Sequence, residues 1–471
     1  MPVGLADLLH DAAILHRFAD FIEEYCREQK RSQRYVDASG DFFRYAERLA
    51  HGIKEYLCSE VARANRLPPE IAVSRIAAIR RNILTLKTYL RLLHTLIKPA
   101  ADAHTLSIPA PLIKLASDQL RQVQGMYGSN VVILLTPQLM YFQRPHTHVK
   151  EQAQQVEIFI PQASFPKKLG FIELPYSQGQ SFFTNIAIYH EMGHFVYEEL
   201  STSSRPNRNL TVLRTAMSQS VTNAFRNPPE EKIRAVADRM VESWTQEIFC
   251  DLFAIRLIGP AFSFALVEIL GMLGFLSPKA RVKFDQEHPA SACRVKEHVS
   301  LLRDDSWWEA IADIESEQKK LLESLASVHR SEYTFYADEE KPGRKGLMNA
   351  FLDSIVPAIR TLVCEITKEP TQAVRQFVKS RPSIEDCLRA GVVPHAKGSG
   401  NSDPVSVINS AFCFYLTSLP KLLKKYEKPQ DRDNVEKHSL WTELLEKWTM
   451  KAIEDSQIQK GAARWSSLRT K

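Results

Sequence analysis

Apolar residues recur every three or four positions along the first hundred residues of the chain. This spacing predicts helices over residues 8–26, 42–61 and 71–97. The helical period returns after residue 228 and runs to the Gly-Pro pair at 259–260, which is a strong helix stop. Further helical stretches follow towards the end of the chain, so the pattern predicts a mainly α protein.

Three short runs between residues 130 and 175 break the helical period. Residues 130–136 are rich in β-branched side chains, residues 156–160 alternate with period two, and residues 170–174 precede a proline. They predict three strands and a small sheet beside the helix that follows, which makes the fold class α+β within a mainly α chain. An edge strand of such a sheet can hold an extended peptide by β-augmentation.

Length and composition bound the organisation of the chain. A chain of 471 residues is expected to form two or three lobes. We predict a helical N-terminal region at 1–125, a core at 126–304 and a helical C-terminal region at 305–471. Hydrophobic residues make up 44% and charged residues 25%, as in ordinary soluble proteins.

Charge and cysteine usage narrow the partners and the compartment. The net charge of +6 is dispersed and lacks a nucleic-acid-binding pattern, so no nucleic acid partner is predicted. Neither a transmembrane segment nor a signal peptide is expected from the apolar runs. Seven cysteines without C-x-x-C spacing indicate reduced thiols and a cytoplasmic location.

The most informative segment is His-Glu-Met-Gly-His at residues 190–194, inside a predicted helix. Residues four apart share one face of a helix, so His190 and His194 can present two imidazole nitrogens to one point. Glu191 is offset along the helix and can reach a water bound there. Two neutral imidazoles beside a carboxylate suit a catalytic zinc ion, although the pentapeptide also arises by chance.

A third protein ligand must come from elsewhere, because two histidines do not hold catalytic zinc. The extended motif with a third histidine is excluded, since Tyr197 and Leu200 stand where it needs glycine and histidine. A second predicted helix carries Glu247 and Asp251, four apart among apolar neighbours. Metal ligation by Glu247, and a hydrogen bond from a ligand histidine to Asp251, would satisfy two carboxylates that are costly to bury unpaired. The alternative pairs Glu247 with Arg256 or another cation and leaves Asp251 on a solvated face.

A third segment places His288 and Arg294 six residues apart, with a proline directly after the histidine. His288 is the candidate donor to the oxyanion that develops in peptide hydrolysis. Arg294 could steady His288, bind substrate or hold a carboxylate. The alternative makes His288 a helix-capping residue and Arg294 a surface charge.

Together these segments resemble the gluzincin class of zinc metallopeptidases, which carry H-E-x-x-H on one helix and E-x-x-x-D on a later one. The H-P-x-x-x-x-R-V segment is similar to one in the CAAX prenyl endopeptidase family and its bacterial heat-shock relatives. The resemblance implies a zincin-like core with one zinc ion on His190, His194 and Glu247, Glu191 as general base and Asp251 as an outer partner. Those relatives are integral membrane enzymes, so the resemblance is carried over for the site and not for the substrate.

The expected function is zinc-dependent hydrolysis of peptide bonds in a peptide or protein substrate. Glu191 would take a proton from the attacking water and pass it to the leaving amine. The flanking helical regions could also bind a protein partner. Three alternatives stay open: a metal that only joins two helices, a regulator that cleaves a single partner, and a hydrolase that acts on a non-peptide bond.

Overall fold

A computed structural model describes residues 5–32, 38–105, 109–136, 142–144, 146–166, 168–175, 181–203, 207–225, 231–335, 343–394, 403–426 and 435–469. The protein is mainly helical, as predicted. The helices within these ranges are α1 (Leu5–Ser32), α2 (Ser39–Asn65), α3 (Pro69–Thr105), α4 (Ala110–Leu120), α5 (His146–Glu157), α6 (Phe182–Asn185), α7 (Ile188–Thr202), α8 (Arg208–Ala224), α9 (Glu231–Ile258), α10 (Pro260–Met272), α11 (Ser291–Asp304), α12 (Trp307–Ala310), α13 (Glu317–Ala326), α14 (Arg344–Ala350), α15 (Val356–Ile366), α16 (Thr371–Arg389), α17 (Pro404–Cys413), α18 (Leu419–Tyr426) and α19 (Val435–Arg469). The strands are β1 (Asn130–Thr136), β2 (Phe142–Arg144), β3 (Leu169–Pro175), β4 (Lys283–Phe284) and β5 (Thr334–Phe335).

The chain divides into two compact units. Unit 1 comprises Met1–Ala110 and Gly128–Gln180, and unit 2 comprises Pro111–Tyr127 and Ser181–Lys471. The three-stranded sheet belongs to unit 1 together with the N-terminal helices, whereas the His-Glu-Met-Gly-His segment belongs to unit 2. This division differs from the predicted ranges 1–125, 126–304 and 305–471, which grouped the sheet with that segment.

Unit 1 combines three long helices with a mixed sheet of order β1-β3-β2. β1 and β3 are parallel, in register from Asn130 opposite Leu169 to Thr136 opposite Pro175, and β2 is antiparallel to β3. All seven residues of β3 are buried, as expected for a strand covered on both faces. The Phe171 ring meets the Phe42 ring of α2 edge-on at 5.3 Å, which ties the sheet to the helical layer.

Two of the three predicted strands are confirmed as β1 and β3, but the strand predicted at 156–160 is wrong. Helix α5 runs to Glu157, and a turn follows in which the Ile160 N–H donates to the Val156 carbonyl. Val156 and Ile160 are buried four residues apart, while Ile158 is 77% exposed. A short alternating run satisfies both periods, and here the helical spacing decides the structure.

Unit 2 is built around α7 and α9, which pack against each other. The middle and C-terminal part of α9 is apolar and buried on most of its circumference, as expected for a helix at the centre of a helical layer. Gly259 ends it with a φ of +73°, and Pro260 starts α10. The predicted Gly-Pro stop is therefore confirmed.

One helical stretch of the described residues is long and apolar enough to cross a membrane. It is Arg344–Ile366, which includes α14 and α15 and has a mean hydropathy of 1.4 in its most apolar window. Of that window, 44% is buried inside the protein, and both helices pack against α8 and α9. Only its length and composition match those of a membrane span, and a buried core helix can have the same length and composition.

Candidate metal centre

Helix α7 carries the motif in its first two turns, where its side chains are buried. The Tyr189 hydroxyl donates to Gln119 Oε1 at 2.6 Å, and Gln119 Nε2 donates to the Leu257 carbonyl at 2.9 Å. These two bonds link the start of α7 through α4 to the end of α9. His190 is 9% exposed and Glu191 is 7% exposed, so the motif faces the interior of unit 2.

The two helices approach closely because position 193 is glycine. A Cβ at Gly193 would lie 2.7 Å from Cys250 Cα and 3.0 Å from Cys250 Sγ. No real Cβ tolerates such contacts, so the absence of a side chain sets the separation of α7 and α9. This approach brings the imidazoles of α7 opposite the carboxylates of α9.

Glu247 lies opposite both motif histidines. His190 Nε2 is 3.6 Å from Glu247 Oε2, and His194 Nε2 is 3.4 Å from Glu247 Oε1. Two ligands about 2.0–2.1 Å from a tetrahedral zinc ion lie roughly 3.3–3.4 Å from each other. The two separations between the histidines and the Glu247 carboxylate are therefore close to the edge length of a tetrahedral zinc site.

Asp251 lies behind His190 and is completely buried. Its Oδ1 is 2.8 Å from His190 Nδ1, so the ring donates there and keeps Nε2 as the free lone pair. The predicted solvated-face alternative for Asp251 is wrong, because its side chain has no exposed surface. The predicted hydrogen bond with a motif histidine is present.

Arg294 binds both carboxylates of α9. Its Nε and Nη2 donate to Asp251 at 2.7 and 2.8 Å, and its Nη1 lies 3.0 Å from Glu247 Oε2. Burial alone would raise the pKa of Asp251, yet the Arg294 guanidinium beside it holds that pKa well below its usual range. Of the roles considered for Arg294, the structure shows that it holds carboxylates, and it is not a surface charge. The predicted pairing of Glu247 with Arg256 is wrong, but the broader alternative, a pairing of Glu247 with another cation, is met by Arg294.

Arg256 lies nearer the C-terminal end of α9 and bonds to other partners. Its Nη1 donates to Asp305 Oδ1 at 2.6 Å, and its remaining nitrogens bond to Thr367 and to the Lys368 carbonyl. The Glu247 carboxylate therefore lies beside His190, His194 and Arg294, and Arg256 binds elsewhere.

Sequence reasoning missed His298 and Ser263. His298 is fully buried, with Nε2 3.1 Å from Asp251 Oδ2 and Nδ1 3.2 Å from the Ser263 hydroxyl. Burial lowers the pKa of His298, so its ring is neutral, and the serine contact suits the tautomer that carries its proton on Nε2. The signal was present, since His298 follows Arg294 by four residues and shares its face of α11.

His288 is less closely engaged than the other predicted site residues. Its side chain is 40% exposed, and Nδ1 lies 3.5 Å from Asp285 Oδ1, a partner that raises the pKa of His288. Helix α11 begins at Ser291 with Ala290 as its capping position, so His288 is not the cap residue. Its role as an oxyanion donor stays a prediction.

Cys250 offers a second way to complete the donor set. Its Sγ lies within 4.8 Å of a ring nitrogen of both His190 and His194. Burial raises the pKa of the Cys250 thiol to about 12. Two ligand sets thus compete: the histidines with Glu247, and the histidines with Cys250.

Comparison with known proteins identifies no relative. A scan against protein-family models, a search of curated proteins and a search of solved structures each gave no match.

Substituting Gly193 tests how far the centre depends on close helix packing. We expect Gly193→Ala to destabilise the fold by about 1–3 kcal/mol and to weaken metal binding, because the new Cβ meets the backbone of α9. Urea denaturation and metal titration measure the two effects. The matched control is Gly271→Ala at the end of α10, where the nearest atom is 3.6 Å away. Equal stability of the two variants would contradict the packing argument.

Proposed function

We propose that this protein is a zinc-dependent peptidase of the gluzincin type, in which α7 and α9 of unit 2 are the metal-binding helices of a zincin-like core. One observation carries the proposal: the Glu247 carboxylate lies 3.4–3.6 Å from the Nε2 atoms of both motif histidines. Asp251 supports it from behind, in the arrangement by which carboxylates orient zinc-binding imidazoles.

The donor set fits zinc better than calcium or magnesium. Two imidazole nitrogens and one carboxylate oxygen form a three-ligand set that leaves a fourth position for water. Calcium and magnesium prefer oxygen ligands throughout, which the two histidines do not supply. We therefore propose one zinc ion per chain on His190, His194 and Glu247.

Zinc bound at such a site lowers the pKa of a coordinated water and polarises a carbonyl group. Glu191 acts as the general base. The residue is 7% exposed, and its carboxylate forms no hydrogen bond or ion pair with the residues that the structure describes, so it is available to a water at the centre. It takes one proton as the water oxygen bonds to the carbonyl carbon. It then delivers that proton to the amine nitrogen as the C–N bond breaks.

The other residues of the centre keep the reacting groups in place. Asp251 fixes the His190 ring, and Arg294 neutralises the charge that Asp251 and Glu247 place in a buried region. His288 remains the proposed donor to the developing oxyanion, from the segment before α11. The free cysteines support a reducing compartment, so we propose a cytoplasmic peptidase acting on peptides or proteins and not on nucleic acid.

Metal analysis of purified variants tests the ligand set. We expect one zinc per chain in the wild type, loss of zinc in His190→Ala and Glu247→Ala, and retention in Cys250→Ser. His148→Ala, which changes an exposed histidine of unit 1, is the matched control and should keep its zinc. Loss of zinc in Cys250→Ser with retention in Glu247→Ala would show that Cys250, and not Glu247, is the third ligand. A wild type that binds no zinc would refute the proposal.

The second candidate function is a non-catalytic metal site that joins α7 to α9. The position of Cys250 favours it, because a thiolate added to His190, His194 and Glu247 would close the fourth position. Zinc content without hydrolysis of any member of a peptide library would support this candidate. Cleavage of many library members supports a general peptidase, and cleavage of a single native protein supports a regulator.

A further inference from the structure

The segment that follows α10 is an exposed apolar turn. Met272 is 59% exposed, Leu273 is 38% exposed and Phe275 is 37% exposed, although apolar side chains of this size are normally buried. Gly274 adopts a φ of +77°, and no atom lies within 4 Å of the position that a Cβ would occupy. The turn therefore lies at the surface of unit 2 and carries three large apolar side chains within four residues, and we call residues 271–283 the tip.

Positive charge follows directly after this turn. Residues 271–284 contain Lys279, Arg281 and Lys283 and lack aspartate and glutamate. The Arg281 N–H donates to the Ser277 carbonyl at 3.0 Å, so the basic stretch begins with a helical turn directly after the apolar residues. Lys279 is exposed, and Arg281 and Lys283 are half-buried.

We propose that this tip, residues 271–283, docks the protein on an anionic lipid bilayer. Apolar side chains that enter the boundary between headgroups and acyl chains, with lysine and arginine beside them, are the features of interfacial membrane anchors. The charge is complementary to the anionic headgroups of such a surface. This inference is independent of the proposed peptidase activity, since it uses none of the residues of the metal centre.

The shape of the tip favours a bilayer over a second copy of the chain. Stable protein interfaces bury roughly 800 Å² on each partner and involve about 20–30 residues a side. A single turn with three apolar side chains presents far less than that. A bilayer needs only a few inserted side chains, because the headgroup region closes around them.

Vesicle flotation of the full-length protein tests the proposal. The probes are vesicles of phosphatidylcholine alone and of phosphatidylcholine mixed with phosphatidylserine, at low and high salt. We expect binding to the mixed vesicles that weakens with salt, and little binding to phosphatidylcholine alone. Lys279→Glu should weaken binding by about tenfold. The double variant Leu273→Ser with Phe275→Ser should weaken it by at least about tenfold, because the inserted surface is lost.

Matched controls separate insertion from a general loss of hydrophobicity or charge. Val378→Ser and Lys379→Glu change exposed residues of α16 and should bind vesicles as the wild type does. Met272→Ser is a milder second tip variant in case the double variant misfolds, as judged by circular dichroism.

Absence of wild-type binding to the mixed vesicles would overturn the proposal. Equal losses in the tip and control variants, or concentration-dependent dimers that the tip variants abolish, would also overturn it. Zinc content and peptide hydrolysis in solution should be unchanged in all five variants, so failure of this inference is distinguishable from failure of the peptidase proposal.

Discussion

Replacing Glu191 by glutamine should abolish turnover and leave the metal in place. The amide keeps the size of the side chain but cannot accept a proton from water, and general-base catalysis typically contributes about 10²–10⁴-fold to the rate. Glu191 is absent from the proposed ligand set, so zinc content should stay at that of the wild type. New N-termini released from a library of unstructured peptides, counted by mass spectrometry, give the rate.

The control for this substitution is Glu199→Gln on the same helix, two turns further on and half-buried. It makes the same chemical change outside the centre and should hydrolyse the library at the wild-type rate. Full activity in Glu191→Gln would end the general-base assignment, whereas loss of zinc in that variant would show that Glu191 is a ligand. Inactivity of both variants would indicate that α7 tolerates no loss of charge.

The long helices were predictable from sequence because their apolar periodicity extends over many turns. α1, α2 and α3 contain the predicted stretches 8–26, 42–61 and 71–97 and extend beyond them at both ends. The short runs were less informative, because five residues satisfy a period of two and a period of four equally well. The Val156–Ile160 pair shows this, and only its tertiary contacts decide in favour of a helix and turn.

The members of the centre were predictable to the extent that they occur in motifs. His190, His194, Glu247 and Asp251 have fixed spacings on two helices, and those spacings imply one face each. His298 and Cys250 belong to no motif, and their proximity arises from the packing of α9 against α7 and α11. The grouping of the sheet with the motif helix also depended on tertiary contacts, which place the sheet in unit 1.

Electrostatics explains why the centre needs Arg294. Asp251 and Glu247 are two carboxylates in a buried region, and the two motif histidines supply no fixed positive charge when neutral. Arg294 is 6% exposed and contacts both carboxylates, so it is the permanent cation of the centre in the absence of metal. A buried charge that loses its partner typically costs about 3–5 kcal/mol.

Arg294→Met should therefore be the most destabilising substitution in the centre. We expect a loss of about 3–5 kcal/mol at pH 7, measured by urea denaturation of both proteins in the presence of a chelator. The loss in free energy of unfolding should become smaller as the pH is lowered. In the wild type the folded-state pKa of Asp251 lies below its unfolded value, so its stabilising contribution is present above about pH 4 and fades below it. In the variant the buried carboxyl loses its cation and its folded-state pKa rises, so protonation relieves the penalty at a higher pH than that at which the wild-type contribution fades.

Arg303→Met is the matched control on the same helix. Arg303 is exposed and stacks over the Trp308 ring at 5.7 Å, so its loss should cost no more than about 1 kcal/mol and show little dependence on pH. A similarly small and pH-independent cost for Arg294→Met would mean that Asp251 is not held ionised by Arg294. The orientation of His190 by an ionised Asp251, and with it the proposed zinc geometry, would then lose its physical basis.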